Sequence, residues 1–210
     1  MKVIPRVRRF YLIRHGQAEA DPTVQAFERD LAGELDPGLS ALGRRQATLA
    51  AARARQLGAE IVLSSALARA RETADVIATR ARIPRGAIVP DLNEIAPGDL
   101  GALERAVARA LFPRANGVLS VWQMIRWLRG RADTETPVAA RARVLRVLAL
   151  LDALPHECVA VVGHGYWITL AAMSLGKLTR PRWVGNCAFT AVDSDGAGRY
   201  RIVDHARPIT

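Results

Sequence analysis

Short apolar runs alternate along the chain with longer, alanine-rich segments whose apolar positions repeat at helical spacing. Phe10-Tyr11-Leu12-Ile13 is the first run and reads as a short buried strand. Glu60-Ile61-Val62-Leu63 is a second strand, Ala87-Ile88-Val89 a third candidate, and Glu157-Cys158-Val159-Ala160-Val161-Val162 the clearest buried strand. Gly43, Ala47, Ala50, Ala54 and Leu57 recur at helical spacing and form one small-residue face. Ser40 is placed to cap that helix and Gly58 to close it. A second helix is expected from about Ala66, with Leu67, Ala70, Ala74 and Ile77 as its buried stripe. From about Asp99 to Leu154 the pattern is helical, with breaks at Gly117 and from Gly130 to Pro137; Trp122, Met124, Ile125 and Trp127 read as packing residues. A last helix should run from about Tyr166 to near Gly176. Ala188 to Val192 and Tyr200 to Val203 flank Asp193-Ser194-Asp195-Gly196-Ala197-Gly198, which predicts a β-hairpin on the sheet edge. No repeat or low-complexity linker divides the chain, so residues 1–210 read as a single α/β domain with a helical excursion over about 99–136.

The ends of the strands carry the chemistry. The first run ends in Arg14-His15-Gly16, and Gly16 lets the chain turn sharply against a ligand. A cation and an imidazole at the open end of a buried strand suit an anionic group, and ligands of α/β sheets gather at the carboxyl ends of strands. The alternative is a core histidine held by a hydrogen bond. The polar stretch Gln17 to Gly38 that follows is long for a connection without structure, a property of functional loops. Arg69 falls in the first turn of the second helix, where a cation opposes the helix dipole at a cost of roughly 0.3–1 kcal/mol. An anion bound at that helix start would reverse the sign of this effect. The clearest strand ends in Gly163-His164-Gly165, so a second histidine takes the same kind of place as His15. As a dinucleotide loop, Gly163-x-Gly165 is weak, because Ile168 holds the third glycine position.

Charge and cysteine usage narrow the partners. The chain has 210 residues, 50% of them apolar, which suffices for a real core and is too apolar for disorder. Its net charge is +10, and every basic residue except Lys2 and Lys177 is an arginine. That balance favours anionic partners, nucleic acid or small phosphates. Arg6, Arg8 and Arg9 cluster near the start and Arg141, Arg143 and Arg146 on a helix, yet no nucleic-acid-binding motif accompanies them and the few aromatics are not interleaved with the basic runs. No nucleic-acid partner is therefore expected. Cys158 and Cys187 form neither a CxxC pair nor a metal spacing and read as reduced thiols in strands, which suits the cytoplasm. The Arg-His-Gly turn is reached by residue 14, which leaves no room for a cleavable leader and points the same way. The apolar stretch Val159 to Leu175 is interrupted by Gly163, His164 and Gly165, so no membrane span is expected.

Together the strand ends supply two histidines, two arginines and one carboxylate, Glu94, from the loop Leu92-Asn93-Glu94. Phosphoryl transfer through histidine needs such a set. A neutral imidazole attacks, arginines hold the non-bridging oxygens, and a carboxylic acid protonates the leaving alkoxide. In these features the chain resembles the histidine phosphatase superfamily, which includes the phosphoglycerate mutases. The matching segments are Leu12-Ile13-Arg14-His15-Gly16, Leu39-Ser40-Ala41-Leu42-Gly43-Arg44-Arg45-Gln46-Ala47, Ser64-Ser65-Ala66-Leu67-Ala68-Arg69-Ala70 with Thr73-Ala74, Leu92-Asn93-Glu94, and Val162-Gly163-His164-Gly165, in the family's order and spacing. The resemblance implies a three-layer α/β/α sandwich with a mostly parallel central sheet. It implies His15 as the phosphohistidine nucleophile, Arg14, Arg69 and His164 around the phosphate, and Glu94 as acid and base. Gln17 is placed to donate to the phosphate.

The chain departs from the mutase branch in two places. Gln17-Ala18-Glu19 replaces the branch's Ser-x-x-Asn, and Ile95-Ala96-Pro97-Gly98 after Glu94 lacks its aromatic and lysine. Glu104, Asp99 and Glu19 are the substitute acids, and Asp21 is a further carboxylate near the nucleophile. The expected activity is thus a metal-independent phosphomonoester hydrolase without cofactor, acting on a small phosphorylated substrate. The residues after the last strand, His205 to Thr210, are expected to make little of a lid. The alternatives are a mutase-type phosphoryl transferase and a phosphate- or nucleic-acid-binding protein without turnover. A metal hydrolase using His15, His164 and Glu94 is a further alternative, opposed by Arg14 and Arg69, which would repel a dication.

Overall fold

A computed structural model describes residues 7–19, 36–95, 124–129, 135–176 and 183–209. Lys2, Arg6, Asp21, Asp99, Glu104, Trp122, Lys177 and most of the expected helical excursion lie outside the described residues.

Six strands form one sheet: β1 (Arg8–Arg14), β2 (Ile61–Ser64), β3 (Arg85–Ile88), β4 (Cys158–Gly163), β5 (Phe189–Ser194) and β6 (Tyr200–Arg207). Their order is β3-β2-β4-β1-β5-β6. The first four in that order are parallel neighbours, while β5 runs antiparallel to β1 and β6 antiparallel to β5. The helices are α1 (Ala41–Gln56), α2 (Ala68–Ala81), α3 (Pro137–Asp152) and α4 (Gly165–Ser174), with a 3-10 turn at Pro90–Leu92.

The period-2 alternation of the strands divides the core into two layers of contact. Phe10, Leu12, Leu63, Val159 and Val161 point to one face, where they pack with Val144, Leu148 and Leu151 of α3 and Trp167 and Ile168 of α4. Tyr11, Ile13, Val62, Ala160 and Val162 point to the other, against Ala50 and Ala54 of α1 and Ala70, Ala74 and Ile77 of α2. The result is the expected three-layer sandwich. The alanine stripes of α1 and α2 let those helices pack closely on the sheet. Trp167 fills the opposite layer, and its buried indole N–H donates to the Asp91 carbonyl at 2.8 Å.

The helix starts follow the side chains available. Ser40 caps α1 by accepting from the Gly43 amide at 3.0 Å, and Thr136 caps α3 by accepting from Ala139 at 3.2 Å, each a contribution of about 1 kcal/mol. Pro137 occupies the first turn of α3. α2 begins at Ala68 rather than at Ala66, and the two amides before it and its own first amide find side-chain acceptors. Ala66 donates to Asn93 at 2.9 Å, Leu67 to Ser65 at 3.3 Å and Ala68 to Asp36 at 2.7 Å. Strand β3 covers Arg85–Ile88 instead of 87–89: Val62 pairs with Arg85 and Ser64 with Ile88, and Val89 leads into the 3-10 turn. β6 runs on to Arg207, and Cys187 lies in the turn before β5, not in a strand, with φ of +55°. Among the described residues no helix is long and apolar enough to cross a membrane.

β1 and β4 are adjacent and parallel, yet α1 and α4, the helices that follow them, pack on opposite faces of the sheet. Their carboxyl ends therefore border a crevice, the place where open α/β sheets bind ligands. The segment leaving β1 is pressed against α1. A Cβ on Gly16 would lie 2.6 Å from the Gly43 carbonyl oxygen, and one on Gly43 would lie 2.0 Å from that of Gln17. Both positions require glycine. Gly43→Ala should cost about 1–3 kcal/mol through forced separation of the two segments, a fall of several degrees in the thermal unfolding midpoint at roughly 2–4 °C per kcal/mol. An unchanged midpoint in differential scanning calorimetry would contradict this packing.

Candidate active site

β1 hands Arg14 and His15 to the crevice with their backbone held on both sides. The His15 amide donates to the Gly163 carbonyl of β4 at 3.0 Å, and the Arg14 amide to Ala188 at 3.2 Å. The Arg14 carbonyl accepts from Cys187 at 2.9 Å, and the His15 carbonyl from the Asn186 side chain at 3.0 Å. The imidazole of His15 is buried, with its Nδ1 2.6 Å from the Gly16 carbonyl oxygen. A carbonyl only accepts, so Nδ1 carries the hydrogen and Nε2 keeps a lone pair. The Arg69 Nε donates toward that lone pair at 3.3 Å. Burial, then the charges of Arg14 and Arg69, hold His15 well below the usual histidine pKa, and the Gly16 carbonyl only partly offsets them. The ring is neutral at pH 7.

Arg69 comes from the first turn of α2 and is buried. Thr73, one turn later and fully buried, ties it to the segment after His15: its hydroxyl accepts from the Gly16 amide at 3.0 Å and donates to the Arg69 carbonyl at 2.7 Å. The Asp36 carboxylate accepts from the Ala68 amide and stands 3.7 Å from the Arg69 Nη1. Asp36 is thus the anion that offsets an arginine at a helix start. Arg14 donates from Nη1 to the Val184 carbonyl at 2.7 Å and lies 4.4 Å from the Trp183 ring centroid, a cation–π contact. Its Nε is buried without a hydrogen-bond partner.

His164 stands at the N-cap position of α4, without a side-chain cap bond, and is fully buried, its ring centroid 5.0 Å from that of His15. Its Nε2 lies 2.7 Å from the Ser65 hydroxyl, and its Nδ1 has no partner. Burial, then His15, Arg69 and Arg14, push its pKa well below the usual value. Glu94 meets the start of the same helix. One carboxylate oxygen accepts from the Ile95 and Trp167 amides at 3.0 and 3.1 Å, the other from Tyr166 at 3.3 Å. Burial raises the pKa of Glu94, against the lowering influence of these amides and of Arg14.

Arg14, His15, Arg69, Glu94 and His164 are therefore drawn together at the ends of β1 and β4. Gln17 faces elsewhere: it is exposed, its side-chain oxygen accepts from Ser40 at 3.1 Å and its amide donates to Gln46 at 2.8 Å. Asp36, Ser65, Thr73, Trp183 and Asn186 also build the site. Ser65 and Thr73 lie within segments that the sequence pattern matched, but nothing in the spacing of Asp36, Trp183 or Asn186 marks them. Among the described residues no group of three or more His, Cys, Asp or Glu side chains is placed to hold a metal ion. The centre is instead a buried donor set with two guanidinium charges. The unpartnered Arg14 Nε and His164 Nδ1 each cost about 1–3 kcal/mol, which an oxyanion between them would recover.

The chain is similar to known proteins over most of its length. The family model of the histidine phosphatase superfamily (branch 1) matches residues 10–206. A probable phosphoglycerate mutase, GpmB, of Salmonella arizonae is 30% identical over 194 residues, covering 87% of this chain and 83% of that protein. Among solved structures, a mycobacterial hydrolase superposes with a TM-score of 0.72 at 26% identity, covering 98% of this chain and 93% of the other. A mycobacterial glucosyl-3-phosphoglycerate phosphatase in complex with inorganic phosphate superposes with a TM-score of 0.70 at 26% identity, covering 96% and 98%.

The two depressed imidazoles leave a signature in stability. The unfolded chain takes up protons near the ordinary histidine pKa while folded His15 and His164 do not, so their contribution is full above that value and is lost as the pH falls through it. Glu94 acts in the opposite sense, regaining stability as it protonates. The unfolding midpoint should therefore fall between about pH 7.5 and about pH 5.5, and fall less steeply in His15→Asn and His164→Asn. Equal slopes in all three proteins would contradict buried neutral imidazoles.

Proposed function

The chain belongs to the histidine phosphatase superfamily, and on that premise we propose that it hydrolyses small phosphomonoesters through a phosphohistidine on His15, without a metal or other cofactor. The observation that carries this reading is the lone pair of His15 Nε2, left by the Nδ1–Gly16 hydrogen bond and faced by Arg69. In the first step Nε2 attacks phosphorus and the ester P–O bond breaks. Arg14, Arg69 and the free N–H of His164 take the charge of the non-bridging oxygens. Glu94, raised by burial toward its protonated form, gives its proton to the departing alkoxide. In the second step Glu94 takes a proton from water, the oxygen attacks phosphorus, the P–N bond breaks, and phosphate leaves neutral His15 behind.

Hydrolysis is favoured over mutase chemistry by the side chains at hand. A mutase must keep water out and return the phosphoryl group to a second oxygen of a retained, doubly charged product. Gln17-Ala18-Glu19 after His15 adds no cation, and Ile95 follows Glu94 directly. The mycobacterial relatives described as a hydrolase and a phosphatase support this reading. The mutase name of the Salmonella relative supports the other. Incubation with 3-phosphoglycerate, with and without 2,3-bisphosphoglycerate, separates them. Free phosphate should outrun 2-phosphoglycerate, and rapid isomerisation with little phosphate release would make the protein a mutase. A screen of phosphomonoesters in the presence of chelator then defines the substrate, and loss of activity to the chelator would overturn the metal-free reading.

Two substitutions test the roles. Arg69→Lys keeps charge but loses the planar fork, so kcat/KM should fall by ~10²–10³. Glu94→Gln should slow alkyl phosphates, whose alkoxide needs the proton, far more than aryl phosphates. In the native enzyme kcat/KM for alkyl phosphates should fall as the pH rises through the raised pKa of Glu94. Equal loss for both substrate classes would assign the proton to another acid, with Glu19, Asp99 and Glu104 next to be tested.

A further inference from the structure

The two ring nitrogens of His164 keep different company. Nε2 lies 2.7 Å from the Ser65 hydroxyl, while Nδ1 is buried with no hydrogen-bond partner. Ser65 is itself fully buried, at the carboxyl end of β2, its amide pinned to the Val162 carbonyl of β4 at 3.0 Å. Its oxygen already accepts from the Leu67 amide at 3.3 Å. Its single hydroxyl hydrogen also needs an acceptor, and the one the described residues offer is His164 Nε2. A ring nitrogen that accepts carries no hydrogen, so the neutral imidazole bears its hydrogen on Nδ1.

We propose that Ser65 is a positioning residue that fixes His164 as the Nδ1–H tautomer, making the second histidine of the pocket a hydrogen-bond donor to the transferring phosphoryl group and not a second nucleophile. The assignment of the recipient rests on the phosphohistidine reading; the tautomer does not. The two histidines are then set by opposite partners. At His15 a carbonyl acceptor holds Nδ1–H and bares the Nε2 lone pair. At His164 a hydroxyl donor holds the Nε2 lone pair and bares Nδ1–H. The reverse tautomer of His164 would turn a lone pair toward phosphoryl oxygens and strand the buried hydroxyl hydrogen, at about 1–3 kcal/mol for the unpaired group. Burial and the neighbouring cations keep the ring from escaping this choice by taking a second proton.

The experiment uses the full chain labelled with ¹⁵N-histidine at neutral pH. Two-bond ¹H–¹⁵N spectra distinguish pyrrole-like from pyridine-like ring nitrogens, and His164 is assigned by its loss in His164→Gln. The native protein should show a protonated Nδ1 and an unprotonated Nε2 at His164; the reverse pattern overturns the proposal whether or not any variant folds. In Ser65→Ala the Nε2–H form should appear, with phosphoenzyme formation slowed by about 10–100-fold, the size of loss known for partners that orient metal-ligating histidines. A folded Ser65→Ala protein with the native tautomer and native rate also overturns it. Absence of any phosphoenzyme in the native protein would instead strike the phosphohistidine reading and leave the tautomer result standing.

Discussion

The hydrogen bond from His15 Nδ1 to the carbonyl of Gly16 is the constraint on which the rest of the site depends. It is local, 2.6 Å long and made by the neighbouring residue, yet it decides which ring nitrogen keeps its lone pair. The segment that carries this carbonyl leaves no room for a side chain at Gly16, because the backbone of Gly43 presses on it, and Thr73 holds the Gly16 amide. Thr73 holds the Arg69 carbonyl as well, so the backbone beside His15 and that of Arg69 share one buried hydroxyl. The small-residue face of α1 thus serves the chemistry indirectly: a larger side chain at position 43 would push that segment away from the helix.

The sheet order explains why the remaining groups arrive at the same point. β4 is inserted between β1 and β2, and α1 and α4 depart to opposite faces. Arg14 and His15 at the end of β1, His164 at the end of β4, and Ser65 at the end of β2 therefore line one crevice. Glu94 is fixed to the first turn of α4 by backbone amides rather than by a cation. Its loop is held from behind, where Arg143 donates to the Asp91 and Asn93 carbonyls at 3.0 and 2.6 Å and pairs with Glu135. Two arginines beside two buried imidazoles form an arrangement that repels protons. It keeps both rings neutral and leaves polar donors to be satisfied by an anion.

The parts of this design that obey local rules are visible in the sequence. The strands β1, β2 and β4 are apolar because both faces are covered, and Ser40 and Gly58 mark the ends of α1 by ordinary capping chemistry. Arg14, His15, Arg69 and His164 stand out because polar residues at the ends of apolar runs, or a cation at a helix start, conflict with simple burial. Edge elements are less legible. β3 has two exposed residues and β6 carries Arg201, Asp204 and His205, so neither shows a clean alternation. Groups brought in from distant loops leave no trace in local pattern: Asp36 reaches Ala68 and Arg69, and Trp183 and Asn186 reach Arg14 and His15 across more than 160 positions of chain. Gln17 illustrates the converse error of proximity. It is two residues from His15, yet its side chain turns to Ser40 at the start of α1.

The most direct test of the central claim is the position of the phosphoryl group on the enzyme itself. Rapid quenching in alkali during turnover, followed by ³¹P NMR and mass spectrometry of the isolated peptide, locates the modified residue and distinguishes the two phosphohistidine isomers. The account predicts a single phosphoramidate on His15, at Nε2, stable in alkali and lost in acid, and absent from His15→Ala. Phosphate on Nδ1 of His15, on His164 or on a carboxylate would contradict it.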